Sequence, residues 1–278
     1  MNINAKTRIT GLLGYPVEHS LSPEMHNSAF GHLGLNYCYI ALPVRPESLG
    51  MAIEGIRAMN FTGVNITVPH KEKVPPLLDD IDREADFIGA VNTIVNEEGK
   101  LKGYNTDGRG FIKSLDENKI TYDDSSIFVI GAGGASRAVC YYLSRKASNL
   151  RIFDIDISKA ESLVNDLKTI NSNVSFESDR KKIEMSDIVI NATPLGLKAD
   201  DPLPFDTEGL SEGQVVVDLI YRDTPLLKSA RQKKCETING LGMLLWQGAL
   251  AFELWTGTAA PVDIMKKALL NGFSKRQA

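Results

Sequence analysis

The chain has few cysteines and few histidines, and their spacing leaves no support for a disulfide framework or a metal site. The 3 cysteines, Cys38, Cys140 and Cys235, are odd in number, far apart and without paired metal-ligand spacing. This distribution argues against both a small disulfide scaffold and a zinc site. The 4 histidines form no ligand motif with carboxylates at helical spacing. We therefore predict a protein without a metal ion.

A basic stripe and a long apolar run are also lacking. The net charge is -4, with lysines and arginines spread along the chain, which argues against nucleic acid as a partner. Residues 1–10 are polar, and the longest apolar stretch, residues 240–254, is interrupted by Gln247 and Glu253. Neither segment has the features of a signal peptide or a membrane span. We expect a cytoplasmic protein without membrane contact.

The length and composition are those of an α/β protein with two modest cores. The chain has 278 residues, of which 43% are hydrophobic and 24% charged, and this suits two globular domains better than one. We predict one domain over residues 1–105, completed by C-terminal helices within residues 241–278. The second domain is predicted over residues 106–240.

The first half alternates strand and helix signals. Strands are predicted at residues 8–14, 37–42 and 63–68, separated by helices at residues 22–33 and 46–59, and this order implies parallel strands. Ser22 is predicted to cap its helix, with Pro23 as the first helical residue. Short helical pieces near residues 74–78 and 81–87 and strands at residues 90–96 and 100–105 complete the predicted first domain.

The third strand carries polar side chains that packing does not require. Val64, Ile66 and Val68 alternate with Asn65 and Thr67, so one face is predicted to be aliphatic and the other polar. Pro69 then stops the strand and places the next residues beyond its carboxyl end, where ligands bind in open α/β sheets.

Three polar groups are expected to converge near such strand ends. Lys71 follows the third strand, Asp107 follows a later strand, and Asn92 lies at the start of its own strand. Structural explanations stay open: Lys71 as an exposed surface lysine, and Asp107 as an ordinary helix-start residue. The hydroxyls of Ser20 and Ser22 at a helix amino terminus suit a carboxylate or phosphate, with capping alone as the alternative.

The second half has a dinucleotide-binding signature. An apolar strand at residues 126–130 leads into a glycine-rich turn at residues 131–136 and an apolar helix. A second strand ends at Asp154, about twenty residues onward as the fingerprint requires. Further alternation predicts a doubly wound parallel sheet, with residues 191–196 and 218–221 on the rim where a nicotinamide ring is expected. A βαβ unit that binds no nucleotide is the alternative.

Several ordered motifs together resemble the shikimate dehydrogenase family over essentially the full length of the chain. They are Ser20-Leu21-Ser22-Pro23, NITVPHK at residues 65–71, GAVNT at residues 89–93, GYNTD at residues 103–107, GAGGAS at residues 131–136, and NGLGM at residues 239–243 with Gln247. The resemblance implies an N-terminal α/β substrate domain and a doubly wound Rossmann-type dinucleotide-binding domain, with C-terminal helices returning to the first domain. It also implies reversible hydride transfer between shikimate and 3-dehydroshikimate in aromatic amino-acid biosynthesis.

The resemblance assigns roles to individual residues. Ser20 and Ser22 would hold the substrate carboxylate, and Lys71 with Asp107 would form the catalytic pair. The residues expected around the ring hydroxyls are Asn65, Thr67, Asn92, Asp107, Tyr221 and Gln247. Oxidation of a secondary alcohol requires removal of the hydroxyl proton while hydride leaves the same carbon, and we expect the catalytic pair to share that proton transfer.

The chain departs from the family pattern where the cofactor ribose is expected. Members that use NADP usually carry Asn-Arg-Thr there, whereas this chain has Asp154-Ile155-Asp156. Two carboxylates would repel a 2′-phosphate, so we predict a preference for NAD although NADP is the family default. The expected cofactor contacts are Gly131, Ala132, Gly133, Gly134, Ala135, Asp154, Ile155, Asp156, Lys159, Thr193, Leu219 and Gly240.

Two other functions remain as alternatives at this point. An NAD-dependent enzyme that oxidises quinate as well as shikimate is one, although Thr67 and the serine pair look more like the shikimate pattern. A catalytically silent nucleotide-binding regulator is the other, and the presence of Lys71 and Asp107 argues against it. For quaternary structure we expect a monomer or a homodimer.

Overall fold

The computed structural model describes residues 3–198 and 200–277, and this chain divides into two compact units. The first unit extends to Thr106 and resumes at Leu245, while the second unit is Asp107–Leu244. The predicted split after residues 105 and 240 lies a few residues from this division. That these two units are independent domains stays a prediction. Residues 1, 2, 199 and 278 of the predicted domains lie outside the described residues.

The first unit contains a mixed six-stranded sheet with helices. In chain order the elements are β1 (Arg8–Gly14), α1 (Ser22–His32), β2 (Tyr37–Pro43), α2 (Leu49–Ala58), β3 (Gly63–Ile66), β4 (Asp80–Ile81), α3 (Arg83–Ile88), β5 (Thr93–Glu97) and β6 (Lys100–Tyr104). The strand order in the sheet is β2-β1-β3-β5-β6-β4. Strand β1 is parallel to β2 and β3, whereas β5 is antiparallel to β3 and β6.

The two faces of this sheet differ in polarity. Leu13, Val64, Ile66 and Ile94 pack with α2 residues in one aliphatic core. Because successive strand residues point to opposite faces, neighbours such as Asn65 belong to the other face. The predicted separation of aliphatic and polar faces is therefore confirmed for residues 64–66.

Four local predictions in this unit were wrong. Strand β3 ends at Ile66, and Val68 is 68% exposed, because the chain leaves the sheet after Thr67 N–H bonds to the Leu13 carbonyl. Helix α1 begins at Ser22 itself, so Ser22 is not its N-cap. The helix predicted over residues 46–59 is a 3₁₀ turn, Pro46–Ser48, followed by α2, and the piece predicted at residues 81–87 begins as strand β4.

The second unit contains a parallel six-stranded sheet with helices. The elements are α4 (Asp107–Glu117), β7 (Ser126–Ile130), α5 (Gly134–Leu143), β8 (Asn149–Phe153), α6 (Ile157–Lys168), β9 (Val174–Phe176), β10 (Ile188–Asn191), β11 (Val215–Asp218), α7 (Pro225–Gln232) and β12 (Glu236–Ile238). The strand order is β12-β11-β10-β7-β8-β9, and all five strand pairs are parallel, so the predicted doubly wound sheet is confirmed. The order reverses between β7 and β10, and ligands bind at such switch points.

Two C-terminal helices, α8 (Leu241–Thr256) and α9 (Val262–Gln277), end the described chain. From Leu245 onward they belong to the first unit, where α9 packs on α1, so the predicted return to that unit is confirmed. Near the end of α8, the Trp255 Nε1–H donates to the Ile94 carbonyl at 3.0 Å. A Cβ at Gly63 would lie 2.3 Å from that indole nitrogen, so glycine is required for the ring to approach the sheet.

None of the helices within residues 3–198 and 200–277 combines the length and apolar character needed to cross a membrane.

A buried histidine makes the stability of the first unit sensitive to acid. His26 on α1 is fully buried and stacks on Tyr39 with 4.4 Å between ring centroids. Neither ring nitrogen has a hydrogen-bond partner among the described residues. Burial lowers the pKa of His26 from 6.5 to about 3, so the folded state holds the neutral ring while an unfolded chain gains a proton below pH 6.5.

We expect the free energy of unfolding to fall as the pH drops from 6.5 towards 3, by up to about 1.4 kcal/mol per pH unit from His26 alone. Replacement His26→Phe keeps an aromatic ring and removes the titration, so its unfolding free energy should depend less on pH in that window. His32→Gln on the exposed end of the same helix is the control. Denaturant titrations at several pH values measure the difference, and equal pH dependence in wild type and His26→Phe would contradict it.

Candidate active site

Asn65 on β3 has its amide orientation fixed by three hydrogen bonds. Its Oδ1 accepts from the Tyr39 hydroxyl at 2.8 Å, and its Nδ2 donates to the Asn92 carbonyl at 3.2 Å and to Thr93 Oγ1 at 3.0 Å. Both hydrogens of the Asn65 amide thus bond within the first unit. The remaining hydrogen-bonding capacity of the side chain is one acceptor lone pair on Oδ1. Asn65 is suited to accept a hydrogen bond from a bound hydroxyl.

Asn92 belongs to a second group of buried polar side chains in the same unit. It lies immediately before β5, where its Oδ1 accepts from the Thr106 N–H at 2.8 Å and its Nδ2 donates to Thr106 Oγ1 at 3.0 Å. The Thr106 hydroxyl also contacts the Gln247 carbonyl of α8 at 3.1 Å. The structure therefore brings the sequence-predicted residues Asn92 and Gln247 to one place through Thr106.

Ser20 and Ser22 lie at the amino terminus of α1. Ser20 Oγ accepts from the Ser22 N–H at 3.2 Å, and Ser22 is buried while Ser20 is half-buried. Two hydroxyls beside the positive end of an 11-residue helix form a favourable place for a carboxylate. A role in substrate binding stays a prediction for both serines.

The segment that carries Lys71 is anchored by its buried neighbour. His70 is fully buried, with Nε2 2.7 Å from the Val44 carbonyl, while Lys71 is half-buried and its carbonyl accepts from the Val91 N–H at 2.8 Å. Thr67 is half-buried, and its carbonyl accepts from the His70 N–H at 2.9 Å. The backbone of Lys71 is therefore held independently of its ammonium group.

Asp107 is the first residue of α4 and is only 4% exposed. A carboxylate in the first turn is stabilised by the helix dipole. The following residue, Gly108, allows α4 to approach α5 closely, since a Cβ there would lie 2.3 Å from the Ala138 carbonyl oxygen. Close packing of the two helices thus fixes the position of Asp107 within the second unit.

The glycine-rich turn between β7 and α5 fits a pyrophosphate group. Gly131 has φ +109°, and a Cβ there would lie 2.8 Å from the Ala192 carbonyl oxygen, so only glycine is tolerated. No heavy atom of the described chain lies within 4 Å of where a Cβ of Gly133 would stand. Ser136, which replaces the third glycine of the fingerprint, is buried and donates to the Gly131 carbonyl at 2.6 Å. The start of α5 is left open at Gly133, as an approaching anion requires.

The carboxylates that follow β8 are engaged with the backbone. Asp154 Oδ2 accepts from the Ala132 N–H at 2.7 Å, and its Oδ1 accepts from the Asp156 N–H at 2.8 Å. Asp156 caps α6 by accepting from the Lys159 N–H at 3.3 Å. Ile155, between the two carboxylates, is 90% exposed. Asp154 therefore accepts from the N–H of Ala132, a residue of the glycine-rich turn, and a cofactor contact at Ala132 stays a prediction.

A buried network orders the loops at the ends of β10 and β11. Asp218 Oδ1 accepts from Asn191 Nδ2 at 3.0 Å, and its Oδ2 accepts from Thr224 Oγ1 at 2.7 Å. Asn191 Oδ1 in turn accepts from the Thr193 hydroxyl at 2.6 Å. Burial raises the pKa of Asp218, against these hydrogen bonds, which lower it. The network holds the segment that carries the predicted cofactor contact Thr193.

The remaining predicted residues of this rim lie beside that network. Leu219 and Tyr221 are both half-buried and follow β11 directly. Gly240 touches the same loop, since a Cβ there would lie 2.0 Å from the Leu219 carbonyl oxygen.

The structure distributes the sequence-predicted residues between the two units. Ser20, Ser22, Asn65, Thr67, Lys71, Asn92 and Gln247 belong to the first unit, whereas Asp107, Tyr221 and the predicted cofactor contacts belong to the second. Within residues 3–198 and 200–277, no group of histidines, cysteines and carboxylates is arranged to hold a metal ion.

Sequence reasoning overlooked two residues that organise these sites, Tyr39 and Asp218. Tyr39 was read as part of an ordinary strand and Asp218 only as a strand-end residue. A signal was present for each: Tyr39 alternates with Tyr37 on one strand, which puts two hydroxyls on a single sheet face. Asp218 ends an apolar run and is therefore expected to be buried, where its carboxylate needs hydrogen-bond donors.

Models of shikimate dehydrogenase domains match most of this chain. The match extends over residues 12–94 for the "Shikimate dehydrogenase substrate binding domain", residues 114–196 for "Shikimate / quinate 5-dehydrogenase" and residues 240–270 for the "Shikimate 5'-dehydrogenase C-terminal domain". A Carboxydothermus hydrogenoformans protein named "Shikimate dehydrogenase (NADP(+))" is 46% identical over 276 residues, which cover 97% of this chain and 99% of that protein.

Solved structures show the same similarity. The crystal structure of a shikimate dehydrogenase in complex with NADP+ has a TM-score of 0.91 and 44% identity, covering 97% of each chain. The Listeria monocytogenes shikimate 5-dehydrogenase, in complex with shikimate and NAD, has a TM-score of 0.89 and 36% identity, covering 97% of this chain and 98% of that one.

Proposed function

The chain belongs to the shikimate dehydrogenase family, and from this membership we propose that it oxidises shikimate reversibly to 3-dehydroshikimate with a nicotinamide dinucleotide. This reaction would serve aromatic amino-acid biosynthesis. The observation that carries the proposal is the buried polar group around Asn65 and Asn92, because a hydrophobic core has no need of so many amides and hydroxyls. Shikimate-dependent formation of reduced cofactor by the purified protein is the decisive experiment.

The proposed substrate contacts divide by chemistry. Ser20 and Ser22 bind the carboxylate at the amino terminus of α1. The ring hydroxyls face Asn65, Thr67, Asn92, Asp107, Tyr221 and Gln247. When bound, the oxidised nicotinamide accepts hydride from the alcohol carbon. Lys71 and Asp107 share the transfer of the hydroxyl proton, and for them we propose the role of catalytic residues.

The finer proposal is that NAD is preferred over NADP, the cofactor named for the relatives. Asp154 and Asp156 place two carboxylates after β8, and the Asp156 N–H, a donor that a phosphate would need, already bonds to Asp154. A 2′-phosphate would meet like charge at this loop. A ribose hydroxyl would meet a carboxylate acceptor.

We expect kcat/KM to be at least about tenfold higher with NAD than with NADP, since tenfold corresponds to about 1.4 kcal/mol. The triple replacement Asp154→Asn, Ile155→Arg and Asp156→Thr should reverse that order, because it restores the family's NADP pattern. Steady-state kinetics with each cofactor measure the ratio.

Glu161→Arg on the exposed side of α6 is the matched control, because it adds positive charge to the same unit without touching residues 154–156. A clear NADP preference of the wild-type protein would contradict the proposal. So would a triple variant whose cofactor ratio matches that of the wild type.

Quinate is the second candidate substrate and is tested in the same assay. Turnover of quinate at a rate similar to shikimate would assign the chain to the broader quinate/shikimate activity. A monomer or homodimer and a cytoplasmic location stay predictions from the sequence.

A further inference from the structure

We propose that the Tyr39 hydroxyl is a positioning group that fixes which atom of Asn65 faces the substrate. This inference rests on the proposed function, since Asn65, the partner of the Tyr39 hydroxyl, is a proposed substrate ligand. Tyr39 itself need not touch the substrate.

Tyr39 reaches Asn65 across an intervening strand. Tyr39 on β2 is paired with Thr10 of β1, and Asn65 on β3 is paired with Leu12 of β1. Paired residues of parallel strands and residues two apart share a face of the sheet, so both side chains lie on the face opposite the aliphatic core. The phenol extends over β1 until its hydroxyl is 2.8 Å from Asn65 Oδ1.

Tyr39 is itself rigidly held. The side chain is 1% exposed and its ring lies nearly parallel to that of His26, with an interplanar angle of 9°. Its backbone, on the edge strand, is paired with the side chain of Asn27, which accepts from the Tyr39 N–H at 2.8 Å and donates to the Tyr39 carbonyl at 2.9 Å. The hydroxyl therefore stays at a constant place relative to β3.

The protonation of Tyr39 suits a permanent donor. Burial raises the pKa of Tyr39, so the phenol stays neutral throughout the physiological range. Its single O–H therefore remains available to donate to Asn65 Oδ1.

The chemical consequence lies in the direction of the Asn65 amide. Thr93 and the Asn92 carbonyl hold its nitrogen on the β5 side, while Tyr39 holds its oxygen on the other. A rotated amide would set its oxygen against the Asn92 carbonyl and would take from the Tyr39 O–H the oxygen that accepts its hydrogen bond. Tyr39 thus makes Asn65 an acceptor for a substrate hydroxyl.

The replacement Tyr39→Phe deletes one oxygen and keeps the stacked ring. We expect the KM for shikimate to rise about tenfold, as is typical when a buried acceptor loses its donor. The KM for the cofactor should be unchanged. The matched control is Tyr37→Phe, on the same strand and sheet face, whose hydroxyl accepts from Arg8 Nη1 at 2.9 Å and approaches the Trp255 carbonyl at 3.4 Å.

A double-mutant cycle with Asn65→Ala tests whether Tyr39 acts through Asn65. In that background Tyr39→Phe should add no more than about twofold to the KM for shikimate, because the residue being positioned is gone. An undiminished tenfold rise would overturn the proposal. So would an unchanged KM in the single Tyr39→Phe variant, or an equal rise in Tyr37→Phe.

Direct binding separates this inference from folding and from the proposed function. Calorimetric titration of shikimate into each variant, alongside its thermal unfolding, should show the same affinity loss for Tyr39→Phe at a melting temperature near that of Tyr37→Phe. An affinity loss that appears only with a melting temperature far below that of Tyr37→Phe would overturn the positioning role. A wild-type protein that neither binds nor oxidises shikimate would refute the proposed function instead.

Discussion

Replacement of Lys71 by alanine is expected to lower kcat by about 10²- to 10⁴-fold, the usual range for loss of a group that transfers a proton in the transition state. The ammonium is proposed to share the proton of the substrate hydroxyl as hydride leaves the adjacent carbon. Because the Lys71 backbone is held by the Val91 N–H and by buried His70, the variant should fold normally. Steady-state kinetics with saturating shikimate and cofactor give the measurement.

The matched control is Lys73→Ala, an exposed lysine two residues further along the same segment. It changes the net charge equally and should leave kcat within about twofold of wild type, as surface substitutions usually do. Unchanged turnover in Lys71→Ala would remove Lys71 from the catalytic pair and revive the silent nucleotide-binding regulator as an interpretation. An equal loss in Lys73→Ala would show that charge, and not position, is responsible.

Replacement of Asp107 by asparagine should lower kcat by about 10²- to 10³-fold. Asparagine has nearly the same shape and still suits a helix start, so α4 should keep its structure. It cannot take up a proton, however, and therefore cannot share proton transfer with Lys71. The effect is expected on kcat more than on the KM for the cofactor.

Asp116→Asn, on an exposed position of the same helix, controls for the lost negative charge. If Asp107→Asn retained full kcat, the carboxylate would be only a helix-start residue, the structural explanation that the sequence left open. Circular dichroism and thermal unfolding of both variants establish that α4 is intact.

The parts of the fold that follow from periodicity were predictable. Both sheets contain apolar runs or alternations, and glycine marks the turn between β7 and α5 because no other residue tolerates the φ of Gly131. The end of β3 was misplaced because the alternation continues through Val68 in the sequence, whereas the Val68 carbonyl accepts from the Tyr15 N–H, which lies beyond the end of β1. Sequence patterns report side-chain preference and do not report where a neighbouring strand ends.

Candidate site residues could be named from the sequence where they belong to a motif. The contacts that orient them could not, because those contacts depend on the tertiary structure. Asn65, Asn92 and Gln247 were identified from their motifs, but the direction of the Asn65 amide depends on Tyr39, which is 26 residues away in the chain. Likewise, the hydrogen bond from the Ala132 N–H to Asp154 joins residues 22 positions apart in the chain. Pairings across such distances are set by the packed sheet and have no local sequence signal.

The insertion of Trp255 beside Gly63 has a consequence for synthesis on the ribosome. The residues that receive the indole, Gly63 and Ile94, are translated early, yet Trp255 is translated only after the 138 residues of the second unit. At about 5–20 residues per second, that interval is roughly 7 to 28 s. During this time the nascent first sheet lacks α8 on the face that α1 also covers, while the second unit, being contiguous, can fold first.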